Sequence, residues 1–396
     1  MMRANGQTRQ GPTFLLLALA RDGRVVREDM LENIELRLRS ATDCFLFCPG
    51  WLERKAETKA LARRFFAMLE GWLARVGDRV APLGIALHWP SKPFADPELA
   101  PSVLDGGLWP ELERRISGPM AAEPGRLVAL LLELAQAQVA QAPEEEAELD
   151  QLIHRLHDAR TRGGSLLAPF QALSLWVMKQ RAGQVGQRFG REQWAPLWEA
   201  LPRPRPRLHL IGHSFGARLL TSAVLGGVRP SSLILLQAPF SAFAFAPDVP
   251  GYDCPGLYHR VLAERRVSGP IVAVRSIRHA ALRILYPFVT ESGAVDRGGP
   301  GLRTKETVGR SAIGSVGIRG LDAPEIELTL CRQIGLPQWP VVNVDGSALI
   351  RARHTLLGAH RDIFHREVAA LVLLAGGLLH GHPDGIRPRP LSPLAA

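Results

Sequence analysis

Residues 207–221 read Arg-Leu-His-Leu-Ile-Gly-His-Ser-Phe-Gly-Ala-Arg-Leu-Leu-Thr. The apolar run at 208–211 predicts the end of a buried strand, and residues 217–224 predict a helix that begins directly after Gly216. Between the two lies Gly212-His213-Ser214-Phe215-Gly216, a G-x-S-x-G motif in a strand–turn–helix context. The stretch therefore predicts that Ser214 stands at a sharp turn where a strand passes into a helix.

The residue types around Ser214 fit such a turn. Its neighbours at minus two and plus two must be small so that strand and helix can approach, and Gly212 and Gly216 fill these places. Ser214 then lies at the positive end of a helix, with the backbone N–H of Phe215 beside it to bind an oxyanion. We therefore predict that Ser214 is a catalytic nucleophile.

A serine hydroxyl is a poor nucleophile unless a base takes its proton, and in this architecture the base follows the last strand. His360 follows the last predicted strand, at 341–344, and is the predicted base. His354 is an alternative on the same loop, and either histidine could instead cap the following helix. His213 is expected to pack rather than to act as a second base, and His209 is expected to lie in the core.

The oxyanion hole requires a second N–H, which such folds supply from the loop after the third strand. The third predicted strand, at 44–47, is followed by Pro49-Gly50-Trp51, so the N–H of Trp51 is the candidate. An ordinary Pro-Gly turn explains the same residues.

Strands and helices alternate along most of the chain, which predicts an α/β fold with a mainly parallel sheet of about eight strands and right-handed crossovers. One domain is expected at 13–380. Within it, the sequence at 94–165 has a helical pattern, which predicts a helical cap inserted over the sheet. The Pro-rich tail at 381–396 is expected to be disordered. The predicted strands are 14–20, 35–39, 44–47, 83–87, 208–211, 233–236, 271–274 and 341–344.

Composition narrows the class of protein. The chain has 396 residues, of which 46% are hydrophobic and 22% are charged. A globular protein of this length can bury a large hydrophobic core. The longest apolar run is shorter than a membrane span, so no transmembrane segment is predicted. The net charge of +10 comes mostly from arginines scattered without interleaved aromatics, which argues against a nucleic-acid partner.

The cysteines and the amino-terminus bear on location. The four cysteines (Cys44, Cys48, Cys254 and Cys331) lack metal-ligand spacing and are expected to be reduced, buried thiols, which favours a cytoplasmic location. No metal and no cofactor are expected. The run at 14–20 ends in Ala-Leu-Ala, which weakly resembles a signal peptidase site, but a first β-strand explains it as well.

From Cys44 to about Leu371, without the inserted helices, the chain resembles the α/β-hydrolase superfamily. The resemblance is carried by the motif around Ser214 and by Trp89-Pro90-Ser91 at a strand end, and it is greatest to esterase- or lipase-like members of unassigned substrate. It implies hydrolysis of a carboxylic ester through Ser214 and His360.

The chain departs from the family pattern in two places. Pro49-Gly50 stands where members commonly have His-Gly. The triad acid usually follows the strand predicted at 271–274, but residues 275–280 contain no carboxylate, and the alternative position holds Gln237. Asp248 and Asp253 lie further along, so no triad acid is assigned.

The predicted substrate is a small-molecule or lipid-like ester, and a leucine-rich cap together with the Phe-containing loop at 238–249 favours an apolar acyl chain. Two alternatives remain open. One is a non-catalytic α/β-hydrolase scaffold that binds a partner through its cap; the other is a peripheral membrane lipase that rests on an anionic bilayer. The sequence assigns no oligomeric state.

Overall fold

The computed structural model describes residues 14–50, 55–77, 80–91, 141, 167–278, 311–352 and 358–380. Apart from Gln141, the predicted cap at 94–165 lies outside this part of the chain. The predicted tail at 381–396 also lies outside it.

Eight strands form one sheet in the order β1-β3-β2-β4-β5-β6-β8-β7, and every neighbouring pair is parallel. The predicted α/β class with about eight strands is confirmed. The strands are β1 (Phe14–Ala18), β2 (Asp43–Cys48), β3 (Pro82–His88), β4 (Arg207–His213), β5 (Ser232–Leu236), β6 (Ile271–Arg275), β7 (Glu325–Glu327) and β8 (Val341–Asp345).

Helices cover both faces of the sheet. One apolar cluster includes side chains of α1, α3, α5 and α6, and a second includes side chains of α2, α8 and α10. The helices are α1 (Glu28–Leu38), α2 (Lys55–Val76), α3 (Leu167–Arg188), α4 (Ala195–Ala200), α5 (Phe215–Leu225), α6 (His259–Ala263), α7 (Ile313–Val316), α8 (Cys331–Ile334), α9 (Gly358–Arg361) and α10 (Arg366–Ala375), with a π-helical segment at Phe189–Trp194.

Strand side chains alternate between the two apolar clusters. In β5, Leu233 and Leu235 belong to the first cluster, whereas Ile234 and Leu236 belong to the second. Because successive side chains of a strand point to opposite faces, a parallel sheet covered on both sides has continuous apolar strands. This explains why the strands near the centre of the sheet are short, uninterrupted apolar runs in the sequence.

The strand predicted at 35–39 is wrong, because these residues belong almost entirely to the helix α1. The prediction relied on the alternation of apolar and polar residues over only five positions. Across the whole segment the apolar residues Met30, Ile34 and Leu38 repeat every four residues, as in a helix. An ion pair of 2.6 Å between Arg39 and Glu35 spans one helical turn. The eighth strand is instead β7, which the sequence analysis did not predict.

His209 lies in the core, as expected, and belongs to a polar network near the amino-terminal edge of the sheet. Its Nδ1 is 2.9 Å from Ser232 Oγ, and its Nε2 is 3.1 Å from Asp43 Oδ1. All three residues are fully buried, so this Ser–His–Asp arrangement has no access to a substrate. Burial alone raises the pKa of Asp43, but hydrogen bonds from His209, Thr42 and Arg207 hold the pKa below its usual value. The network is therefore a structural element that joins β2, β4 and β5.

The four cysteines are free thiols, and Cys44, Cys48 and Cys331 are buried. Burial raises the pKa of Cys331 to about 12 and that of Cys48 well above its usual value. A thiol reacts as the thiolate, so both groups are unreactive at neutral pH.

Candidate active site

Ser214 occupies the single residue between β4 and α5. Its backbone has φ 55° and ψ −131°, a region that residues other than glycine rarely adopt. The Ser214 N–H donates to the carbonyl of Leu236 at 2.9 Å, which ties the turn to β5. Strained residues of this kind concentrate at functional sites, where the surrounding structure holds them in place.

The two glycines of the motif allow the close approach that this turn requires. A Cβ on Gly212 would lie 2.3 Å from the Cα of Ala217, in the first turn of α5. A Cβ on Gly216 would lie 2.2 Å from the carbonyl oxygen of Cys48. Both distances are far below van der Waals contact, so neither position accepts a side chain without a backbone shift.

The structure brings Ser214 and His360 together. His360 lies on α9, after β8, and its Nε2 is 2.7 Å from Ser214 Oγ. Ser214 is buried and His360 is half-buried. The alternative base, His354, lies outside the described residues. A hydroxyl and an imidazole nitrogen at this distance can exchange a proton, as nucleophilic catalysis requires.

The two groups predicted for the oxyanion hole are placed differently. Phe215 is the first residue of α5, so its N–H lies at the amino-terminal end of the helix, next to Ser214. Trp51 lies outside the described residues. The residue before it, Gly50, is close to the nucleophile, because a Cβ there would lie 2.6 Å from Ser214 Cβ.

The loop before Trp51 has a support that the sequence analysis did not predict. The indole N–H of Trp89 donates to the carbonyl of Pro49 at 3.2 Å, and Trp89 is buried. The Trp89-Pro90-Ser91 segment after β3 therefore packs under the loop that approaches Ser214. The two residues are 40 positions apart in the sequence. The one signal for this contact is that both segments directly follow strands that are neighbours in the sheet.

Two carboxylates near His360 in the sequence are engaged elsewhere. The Asp362 carboxylate accepts hydrogen bonds from the N–H groups of Arg351 and Ala352, at 2.9 and 3.0 Å. Asp345, at the end of β8, forms an ion pair of 3.0 Å with Arg275. At the end of β6, where the family resemblance places the acid, the chain thus carries an arginine that binds a carboxylate.

Gln237, at the alternative acid position, is fully buried. It follows β5 directly and has a positive φ of 52°. Neither Nε2 nor Oε1 of its side chain has a hydrogen-bond partner among the described residues. An amide does not ionise, so Gln237 cannot supply the charge of a triad acid.

The Phe-containing loop at 238–249 is largely buried. Phe240 and Phe245 pack against Tyr258, with ring centroids 5.4 and 5.7 Å apart. Phe243 belongs to a separate small apolar cluster with Val249. Core packing therefore explains these aromatic side chains. The two carboxylates of this region, Asp248 and Asp253, are exposed.

His213 has a role that the sequence analysis did not predict. It was expected only to pack, and it is buried, but its Nε2 also donates to the carbonyl oxygen of His360 at 2.7 Å. Burial lowers the pKa of His213 to about 4; the hydrogen bond to His360 raises the pKa, and the charge of Arg361 lowers it. His213 is therefore neutral at physiological pH, next to the residue that would accept the proton of Ser214.

Searches against family models, curated proteins and solved structures found no match to this chain.

Proposed function

We propose that the chain is a serine hydrolase of the α/β-hydrolase fold that cleaves a carboxylic ester, with Ser214 as nucleophile and His360 as base. The observation that carries the proposal is the distance of 2.7 Å between Ser214 Oγ and His360 Nε2, at a strained strand-to-helix turn. The residue types support acyl transfer in general. The choice of an ester rests on the family resemblance.

The position of Ser214 in the sheet supports the proposal. Ser214 follows β4, which has three strands on one side and four on the other. His360 reaches it from beyond β8, so both groups lie at the carboxyl edge of the strands. Ligands of open parallel α/β sheets bind at this edge.

Acylation follows from the arrangement of these groups. His360 Nε2 takes the proton of the Ser214 hydroxyl while Ser214 Oγ forms a bond to the substrate carbonyl carbon. The carbonyl oxygen becomes an oxyanion, which we assign to the N–H groups of Phe215 and Trp51. His360 then returns the proton to the leaving alcohol, the C–O bond to that alcohol breaks, and an acyl-enzyme remains.

Deacylation repeats the same steps with water. His360 takes a proton from a water molecule, whose oxygen attacks the acyl carbon. The proton then passes from His360 to Ser214 Oγ as the ester bond to the enzyme breaks, and a carboxylic acid leaves.

The scaffold alternative is less favoured than the enzyme. A protein that only binds a partner has no need of a hydroxyl and an imidazole in hydrogen-bond contact, or of a serine at φ 55°. Strain of this kind costs of order 1–3 kcal/mol and persists where the surrounding structure enforces it.

A peripheral membrane lipase would be expected to present an apolar surface, such as the Phe-containing loop at 238–249, to the bilayer. Because Phe240, Phe243 and Phe245 are buried, they are not presented to a bilayer. None of the helices within the described residues is long and apolar enough to cross a membrane. The burial of the three aromatic side chains is the reason why we propose to test the ester hydrolase before the membrane lipase.

The proposal predicts turnover of p-nitrophenyl esters that depends on Ser214. We expect Ser214→Ala to lower kcat/KM by about 10³-fold or more, because the variant lacks the hydroxyl that is in contact with His360 Nε2. Ser231→Ala, at the opposite edge of the sheet, is the matched control and should keep wild-type activity. Octanoyl esters are expected to react faster than acetyl esters, because the apolar sequence of the predicted cap favours an apolar acyl chain.

Equal turnover by the wild type and Ser214→Ala would contradict the proposed reaction. Equal turnover of octanoyl and acetyl esters would contradict only the acyl preference.

A further inference from the structure

His213 connects the nucleophile turn to the segment that carries the base. It is the last residue of β4 and is 7% exposed. Its Nε2 lies 2.7 Å from the carbonyl oxygen of His360, and the two imidazole rings are 4.9 Å apart between centroids, with 38° between their planes. The contact therefore spans 147 residues and joins β4 directly to α9.

The hydrogen bond fixes which nitrogen of His213 carries a proton. A carbonyl oxygen can only accept, so Nε2 must donate. Because His213 is neutral at physiological pH, its Nδ1 carries no proton. No positive charge on His213 then opposes the charge that forms on His360 when it takes the proton from Ser214.

The position of the segment around His360 depends on its contacts with the rest of the chain. α9 has only four residues, too few for a helix to be rigid by its own hydrogen bonds. The imidazole must nevertheless stay within hydrogen-bond distance of Ser214 Oγ for proton transfer. A displacement of about 1 Å can cost about 10²-fold in rate, so the position of the His360 backbone matters as much as that of its ring.

We propose that His213 is a positioning residue, which holds the backbone of His360 through its Nε2–H and thereby keeps the His360 imidazole on Ser214. The inference rests on the proposed function, because it gives His213 a role in that reaction. His213 does not touch the reacting atoms and acts only through His360. If His213 only filled space, a ring of the same size without an N–H donor would serve equally well.

Three variants separate the donor from the ring. His213→Phe keeps an aromatic ring without a donor. His213→Gln keeps a donor N–H at about the reach of Nε2. His213→Asn carries a donor on a shorter side chain that does not reach the His360 carbonyl. Each is purified as the full chain, its thermal unfolding is recorded, and kcat and KM are measured with p-nitrophenyl octanoate.

We expect His213→Phe to lower kcat by about 10- to 100-fold with KM changed by less than about twofold, because a displaced base slows chemistry and not binding. His213→Gln should recover most of the lost kcat, and His213→Asn should not. If His213→Phe does not fold, the comparison of Gln with Asn remains decisive, because the two side chains differ only in reach.

Wild-type kcat in His213→Phe, or equal kcat in the Gln and Asn variants, would overturn the positioning role. These outcomes differ from the one expected if the proposed function is wrong. If it is wrong, the Ser214→Ala variant is as active as the wild type.

Discussion

Replacement of His360 by alanine is expected to lower kcat/KM for an ester substrate by about 10³-fold or more, with the fold unchanged. His360 Nε2 is in contact with Ser214 Oγ, and its loss leaves the hydroxyl without the base seen there. Without that base the hydroxyl stays protonated and reacts slowly. The measurement is steady-state hydrolysis of p-nitrophenyl octanoate, with circular dichroism to verify the fold.

His380→Ala is the matched control, because His380 is an exposed histidine after α10. It should keep wild-type activity. A His360→Ala variant that turns over the ester as fast as His380→Ala would exclude His360 as the base and reopen the choice of His354.

Replacement of Gly216 by alanine is expected to lower the free energy of unfolding by about 3 kcal/mol. The added Cβ would lie 2.2 Å from the carbonyl oxygen of Cys48 and 2.5 Å from that of Pro49. Both neighbours are backbone atoms, which cannot move away as a flexible side chain does. The loop that approaches Ser214 or the helix α5 must then shift, so activity should fall together with stability.

Gly71→Ala is the matched control for the same substitution. Gly71 lies inside α2, and no atom of the described residues lies within 4 Å of a Cβ placed there. Alanine is favoured over glycine in a helix, so this variant should gain about 0.5–1 kcal/mol. Urea denaturation measures both changes. A Gly216→Ala variant as stable as the wild type would show that the close approach at the turn is not needed.

The nucleophile turn could be predicted from sequence because it is local. The strand, the turn and the helix follow one another within 207–221, and the spacing of Gly212 and Gly216 about Ser214 reflects contacts made within this segment and with β2. The contact between Ser214 and His360 followed from topology. Parallel strands bring their carboxyl ends to one edge, so a loop after the last strand in the chain can reach the turn after a central one.

Contacts between distant segments could not be predicted in this way. His213 and His360 meet through a carbonyl oxygen, which every residue has, so no residue type indicates the bond. The ion pairs of Arg275 with Glu325 and Asp345 depend on β6, β8 and β7 lying side by side, and β7 is only three residues long. A short strand leaves too little periodicity to be recognised.

Patterns within a short stretch of sequence can also be ambiguous. A window of five residues at 35–39 alternates as a strand would, whereas the full eleven residues of α1 repeat with the period of a helix. The Phe-containing loop at 238–249 is compatible by its residue types with an apolar pocket and with core packing, and the structure packs Phe240 and Phe245 against Tyr258. In both cases the residue types were consistent with either structure, and packing decided.

The most direct measurement is the reaction of the full chain with a fluorophosphonate, followed by trypsin digestion and mass spectrometry. An activated Ser214 forms a bond from Oγ to phosphorus while fluoride leaves, so the adduct should appear on the peptide between Arg207 and Arg218. Ser214→Ala should give no adduct, and His360→Ala should react far more slowly. Equal labelling of the wild type and Ser214→Ala, or an adduct confined to another peptide, would contradict the assignment of Ser214 as the nucleophile.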